Sequence, residues 1–350
     1  MAYVAGDIPP ARSADGTRAN ESVSCDVCHA ITRFAGEVPF NFNRIIEPGE
    51  IKQGKRANLE SDYHEIAVNG FLATAEFCGT CHKEKDPFDQ WIKSTHLEWC
   101  DGPFGQTGIV CQDCHMPPAP TSLVEGGPEY ADARQHLFYG AHSASNLRGD
   151  AEVRALLRPA ANSASHPLIL EVVVVNAKAG HMIPSGSAEE RLVWLHVTAG
   201  DAKGKVHHLP MDRKGFAGEE FTIASDEALA YQDFGDIQGL ADFTGLMRDS
   251  QVPAGDRIFR LPYLDRQSRM TVAQWNNASL GPDYRLPPLQ AVPETITWIL
   301  PADLPRRDLL VTAAVFYARL VSSVADFPEV PAEEYAAVQM RSETTVVEVR

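Results

Sequence analysis

No stretch of the 350 residues approaches the roughly 18 consecutive apolar residues that a membrane helix needs, so no helical span is expected. Positive charge is short as well. Lys+Arg 31 against Asp+Glu 47 leaves a net charge of −16, which argues against recognition of nucleic-acid phosphates. An acidic surface of this size suits a basic partner, or simply solubility. The N-terminus, Met1-Ala2-Tyr3-Val4-Ala5-Gly6-Asp7, shows no basic segment followed by an apolar run. A leader is therefore expected either to have been removed or to be replaced by targeting through a partner. Apolar mass is not lacking: 44% hydrophobic and 22% charged residues are ordinary globular values and exclude wholesale disorder. The length fits about two domains.

The 7 cysteines are concentrated in three places. Cys25-Asp26-Val27-Cys28-His29, Cys78-Gly79-Thr80-Cys81-His82 and Cys111-Gln112-Asp113-Cys114-His115 are three copies of C-x-x-C-H and leave only Cys100 over. At this composition chance supplies about 0.005 such motifs. The spacing has a chemical reason: the two thiols add across the two vinyl groups of one haem, and the adjacent histidine lies under the iron as proximal ligand. The expected cofactor is three covalently bound haem c groups, held by Cys25, Cys28, Cys78, Cys81, Cys111 and Cys114, with iron on His29, His82 and His115. Zinc would need four ligands per site and gives no reason for a histidine after every second cysteine. A redox disulfide pair is expected once, beside a strand-helix unit, not three times in loop-rich sequence. Covalent haem implies assembly outside the cytoplasm, so a periplasmic or extracellular location is expected.

Composition shifts near residue 150. Residues 1-150 hold all three motifs, are rich in Gly, Pro and His, and have few periodic apolar segments. They are expected to wrap haem, which supplies the apolar mass, in short helices and loops. Asp89-Gln90-Trp91-Ile92-Lys93 and the stretch from Ala151 to Leu157, ending before Pro159, read as brief helices. Residues 151-350 read as strands: Leu168 to Val175, Arg191 to Val197, Thr295 to Leu300, Leu309 to Tyr317 and Thr344 to Val349. Turn-rich punctuation between them suggests an antiparallel β-sandwich, giving an α+β chain overall. Glu219 to Leu246 is ambiguous, a loop excursion with helical turns.

The motifs and their flanks, with His136-Leu137-Phe138-Tyr139-Gly140-Ala141-His142 and Ala179-Gly180-His181-Met182-Ile183-Pro184-Ser185-Gly186, resemble bacterial multihaem c-type cytochromes of the cytochrome c554-related group. The resemblance covers essentially the whole chain and is least specific in the C-terminal third. It implies a haem-bearing N-terminal half, a β-sandwich half that donates a ligand histidine from a Gly-His-x-x-Pro-x-Gly turn, and electron transfer through bis-histidine haems. Three attachment motifs are fewer than many such proteins carry.

Five further histidines are candidate distal ligands. His64 lies upstream of the second motif, where related cytochromes often place one. His96 ends a Trp-x-x-Ser-x-His arrangement seen in other multihaem proteins. His136 and His142 flank Phe138 and Tyr139, whose rings would pack on a haem face. His181 sits in a turn stiffened by Pro184, at the end of a strand, that can aim its imidazole into the haem-bearing half. Five candidates exceed three irons, so at least one should hydrogen-bond near a haem without ligating it. His166, His196, His207 and His208 have no such context and read as surface or strand histidines. Cys100 is expected to be a small buried hydrophobe; thiolate ligation and an intermolecular disulfide are its alternatives. Met182 is an alternative thioether ligand, and Met116 adjoins its own motif too closely to serve.

With six-coordinate irons the chain would relay electrons between a redox-protein donor and acceptor, alone or as a subunit of a larger redox complex. One open iron would instead make it an oxidoreductase for a small nitrogen or sulfur compound. A structural role in a cytochrome filament is the third class. The sequence lacks a catalytic constellation: no lysine replaces a histidine in a motif, and Asp212-Arg213-Lys214 is not specific.

Overall fold

The computed structural model describes residues 23–57, 59–123, 126–150, 153–161, 167–211, 251–304, 308–326 and 330–348. Each C-x-x-C-H motif folds as about one helical turn: α1 (Cys25–His29), α2 (Ala75–Gly79, which runs into the rest of its motif) and α5 (Cys111–His115). A turn of helix is what places two cysteines three apart and the next histidine on neighbouring faces. Between the second and third motifs lie α3 (Thr95–Asp101) and α4 (Pro103–Thr107), the latter with Pro at its first position and ending on Gly108 at φ 75°.

Among the described residues this part also holds four small two-stranded sheets: β1 (Ile31–Phe34) with β2 (Arg44–Ile46), β3 (Ile51–Gly54) with β4 (Glu65–Val68), β5 (Glu84–Lys85) with β6 (Trp91–Ile92), and β7 (Thr121–Ser122) with β8 (Glu129–Tyr130). The helix expected over Asp89–Lys93 is therefore a hairpin. The Asp86 carboxylate accepts from Phe88 N at 2.8 Å and Gln90 N at 2.9 Å, and Asp89 takes φ 65°. Such an Asx turn outcompetes a helix over so few residues.

Beyond residue 150 the alternation of side chains decides the architecture. β10 (Leu168–Asn176) buries every second residue, Leu168, Leu170, Val172, Val174 and Asn176. It is the centre of a three-stranded antiparallel sheet between β9 (Val153–Ala161) and β16 (Ala291–Trp298). The stretch expected to be helical from Ala151 is thus strand from Val153: pairing with β10 overrides the helical preference of Ala, Leu and Arg, and Pro159 is tolerated because β9 is an edge strand with an irregular register there. A five-stranded antiparallel sheet holds β11 (Leu192–Gly200), β12 (Val206–His208), β13 (Arg257–Phe259), β17 (Leu309–Ala318) and β18 (Val338–Val347). A short pair, β14 (Tyr263–Leu264) with β15 (Ser279–Leu280), lies beside it.

The inward rows of the two larger sheets, among them Leu170, Val172, Ile296, Leu195, Val197, Val311 and Val315, form one core cluster, so the sheets pack face to face as a sandwich within an α+β, loop-rich chain. Each such aliphatic side chain contributes roughly 1.5–3 kcal/mol through burial. The contrast with the first part is sharp. Among the described residues the buried apolar side chains before residue 150 are Ala30, Ile31, Ala75, Ile92, Ala133 and Leu147, whereas Phe42, Tyr63, Val68 and Phe138 are exposed. Glu219 to Leu246, His166 and Asp212-Arg213-Lys214 lie outside the described residues.

Candidate functional site

Local hydrogen bonds hold the second and third motifs against one another. Thr74 caps α2 by accepting from Phe77 N at 3.4 Å. Gln112 of α5, buried, donates to the carbonyls of Leu72 at 3.0 Å and Thr74 at 2.8 Å and so ties the third motif to the second. Arg134 clamps α5 from the other side, donating to Gln112 O, Met116 O and the Asp113 carboxylate at 3.0, 3.2 and 2.8 Å. Arg44 reaches Cys81 Sγ at 3.2 Å. The thiols of Cys78 and Cys111 share a hydrogen bond, which with burial raises the pKa of Cys78 and, against the effect of burial, lowers that of Cys111. Cys78 is also in electrostatic reach of Cys28. These titrations vanish once the sulfurs are thioethers; what persists is that the three motifs are crowded.

Two imidazole pairs are the central feature. The rings of His29 and His136 lie 6.1 Å apart, centre to centre, at 31°, and those of His115 and His181 lie 6.3 Å apart at 16°. These separations are too long for direct stacking. Two collinear metal–nitrogen bonds of about 2 Å, with ring centres about 1 Å farther out, put axial imidazoles about 6 Å apart. All four rings are also held in the same tautomer. His29 donates Nδ1–H to Gln53 O on β3 at 2.6 Å, His136 to Arg134 O at 3.1 Å, His181 to Met182 O at 2.8 Å, and His115 to Tyr139 O. A carbonyl only accepts, so each Nδ1 carries the proton and each Nε2 keeps its lone pair.

The turn that presents His181 is built by side chains from both parts of the chain. Asn176, fully buried at the end of β10, donates to His181 O at 2.8 Å and to Leu286 O at 3.2 Å, while its own oxygen accepts from Ala179 N at 3.1 Å. Glu98 of α3 accepts from Met182 N at 3.2 Å and from Ser185 Oγ at 2.7 Å, and its other oxygen pairs with Arg285 at 2.5 Å. Gly180 sits so close to α4 that a Cβ there would lie 2.5 Å from Phe104 Cδ2.

The remaining sequence candidates fall elsewhere. Burial, with His115 and His181 nearby, holds the pKa of His82 down; among the described residues no imidazole lies against it at the spacing of the two pairs. Burial holds His96 and His115 below the ordinary imidazole value, favouring the neutral form that ligates metal. His96 is buried with neither ring nitrogen hydrogen-bonded, and its ring lies against Gly79 of the second motif. A buried imidazole without a partner is costly unless something supplies one. His64 donates to Glu65 O at 3.2 Å and is half-buried. His142 is exposed and its Nδ1 accepts from Arg319 at 3.1 Å, which leaves its proton on Nε2, the reverse of the four paired rings.

Cys100, expected to be buried, is exposed on the last turn of α3. It follows buried His96 by four residues and so shares that side of α3, but it stands on the final turn, just before the helix ends at Gly102. His196, His207 and His208 do lie on strands, but His196 and His208 converge on Asp256, a grouping that sequence reasoning missed because the carboxylate stands far along the chain.

A macrocycle fits this arrangement: paired imidazoles at axial spacing, an orphaned buried histidine, crowded thiol pairs, and apolar side chains with little protein to pack on.

Comparison with known proteins agrees. Residues 65–129, which hold the second and third motifs, match the NapC/NirT cytochrome c family, N-terminal region. No curated relative matches the chain. A penta-haem cytochrome c552 from Thermochromatium tepidum has a similar fold, with a TM-score of 0.63 over 95% of this chain and 79% of that one, at 19% identity. Neither likeness is to the cytochrome c554-related group. Together they support the broader class, a multihaem c-type cytochrome.

Proposed function

We propose that this multihaem c-type cytochrome carries three haem c groups and relays electrons between a redox-protein donor and acceptor, outside the cytoplasm. Residues 1-150 form the haem-bearing unit in this reading, and 151-350 form the sandwich that lends it His181. Haem, when bound, supplies one-electron cycling of its iron. The chain does the rest. The six motif cysteines would anchor the groups, His29 and His136 would hold one iron, and His115 and His181 would hold a second. Neutral imidazoles, each tethered through Nδ1, would give such an iron nitrogen ligands that need not move or change protonation during electron transfer. Crowding of Cys28, Cys78 and Cys111 brings the three attachment points together, as fast transfer requires. The net charge of −16 favours weak, electrostatically guided docking of a basic partner, the pattern of small redox encounters.

The observation that carries this reading is the pair of imidazole separations, 6.1 and 6.3 Å, each with Nδ1 tethered to a carbonyl. Three motifs stand against the five haems in the name of the Thermochromatium tepidum protein, so three is the number proposed here. Intact mass of the matured protein counts the haems, and low-temperature electron paramagnetic resonance of the oxidised protein counts the low-spin irons. Three haem masses and at least two low-spin signals are expected. A colourless product of bare-chain mass overturns the proposal.

His82 favours a second reading. With no facing imidazole at axial spacing among the described residues, its iron would be open to a small nitrogen or sulfur compound, giving an oxidoreductase. Carbon monoxide titration of the reduced protein separates the two: binding at one iron supports the second reading, and no binding supports the relay, with His96 then the first ligand to test by substitution.

A further inference from the structure

β11 is the spine of the five-stranded sheet. One of its edges pairs with β17 along its whole length, from Leu192 to Gly200. The other edge is shared: β12 pairs with Thr198 to Gly200, and β13 pairs with Val193 to Leu195. His196 lies on the strand at the junction these two short partners leave between them. His208 ends β12, and Asp256 immediately precedes β13, so three chain segments deliver one side chain each to that junction.

The connection that places Asp256 is tightly built. Gly255 takes φ +95°, and a Cβ there would lie 2.5 Å from Pro210 Cβ, so only glycine fits. Met211 N donates to Gly255 O at 2.9 Å, and Asp256 N donates to Pro253 O at 3.2 Å. The Asp256 carboxylate is fully buried. His196 Nδ1 lies 3.0 and 2.9 Å from its two oxygens, and His208 Nε2 lies 2.8 Å from the first. The two imidazole rings are 5.0 Å apart and nearly parallel at 19°. One ligand atom from each of the three residues falls within 4.8 Å of the others. Phe316 packs its ring edge against His196 and stacks on buried Trp194, giving an apolar wall behind the imidazole. The His196 and His208 side chains keep 25% and 33% of their exposure, so the group opens to solvent on one side.

Two imidazoles and one carboxylate, converging from rigid strands with one open side, are the donor set of zinc sites that retain a water, and of other divalent transition-metal sites. Bonds of about 2.0–2.2 Å put tetrahedral ligand atoms about 3.3 Å apart. The N···O separations of 2.8–3.0 Å need to open by only a few tenths of an ångström, which partly exposed imidazoles allow. A divalent cation also supplies a full countercharge to a buried carboxylate, which is costly to keep unpaired.

We propose that His196, His208 and Asp256 form a binding site for one divalent transition-metal ion of the zinc class, with solvent completing its coordination. The site uses none of the haem-motif residues, so its failure and the failure of the haem reading are separately visible.

The test is calorimetric titration of Zn²⁺ into the matured, haem-bearing protein after dialysis against a chelator, with His208→Ala and Asp256→Asn beside it. One equivalent is expected to bind to the parent protein and to raise its Tm. Both substitutions should weaken binding by at least tenfold and abolish the rise in Tm. His208 is partly exposed, so His208→Ala should keep the parent's haem spectrum, which shows that loss of zinc is not loss of fold. If the parent protein takes up no stoichiometric zinc, or if folded His208→Ala binds it as tightly as the parent, the three residues are a hydrogen-bonded clasp and the proposal is wrong.

Discussion

His115 and His181, one at the end of the third cysteine motif and one in a turn after β10, face each other at 6.3 Å and 16° with both Nδ1 atoms tied to backbone carbonyls. Two parts of the chain with different architectures thus bring these two imidazoles together. His181→Ala should convert one of the three ferric irons from low spin to high spin, read by electron paramagnetic resonance, while the haem mass stays unchanged. His136→Ala should do the same for the His29 pair, and the double variant should convert two.

Close approach makes Gly180 irreplaceable. A Cβ at this position meets Phe104 Cδ2 at 2.5 Å and Phe104 Cβ and Cγ at 3.2 Å. Gly180→Ala should lower stability by about 1–3 kcal/mol through overpacking. It should also disturb the low-spin signal of the His115 pair, because His181 is the next residue. Adding Phe104→Ala should restore that signal; thermal melts and resonance spectra of the single and double variants check both statements.

Glu98 and Arg285 form an ion pair with both side chains 7% exposed. Glu98→Ala strands the guanidinium with Asp283 as its remaining carboxylate at 2.8 Å, and removes the acceptor of Met182 N and Ser185 Oγ. A loss of up to about 3 kcal/mol is expected, since breaking a buried pair from one side leaves the other charge only partly compensated, here by Asp283. Chemical denaturation should show it. Glu98→Gln, which keeps the acceptor, should lose less.

Burial, with Glu190 beside it, pushes the Glu189 carboxyl up to about 7 from 4.5. The folded state therefore keeps a proton that the unfolded chain has already released over this window. Stability from Glu189 is complete below about pH 4.5 and is lost as pH rises through 7. Glu189→Gln should melt like the parent at pH 4.5 and be more stable at pH 8, by up to about 3 kcal/mol. Equal melting temperatures of the two proteins at pH 8 would sink this assignment.

The local chemistry of the attachment sites was legible in the sequence, because C-x-x-C-H needs only one turn of helix to bring its groups together. The strands from Leu168 and Leu309 were legible too, since short runs rich in strand formers, set between turns, leave few other solutions. Asp89–Lys93 and the segment after Ala151 were not. The first is governed by a side-chain turn from Asp86, and the second by pairing with β10, and neither partner lies within the segment read.

By itself the amino-acid order determined how many thiol pairs exist, which histidine follows each, and how acidic the surface is: properties of neighbours in the chain. Tertiary structure decided which distant imidazole meets His29 or His115, why His142 turns to Arg319 instead, and that His196 and His208 share one buried carboxylate. The physical reason is the range of the interactions. A helical turn is fixed by bonds a few residues long, whereas an axial pair or a three-segment cluster depends on where sheets and caps fix the backbone many residues away.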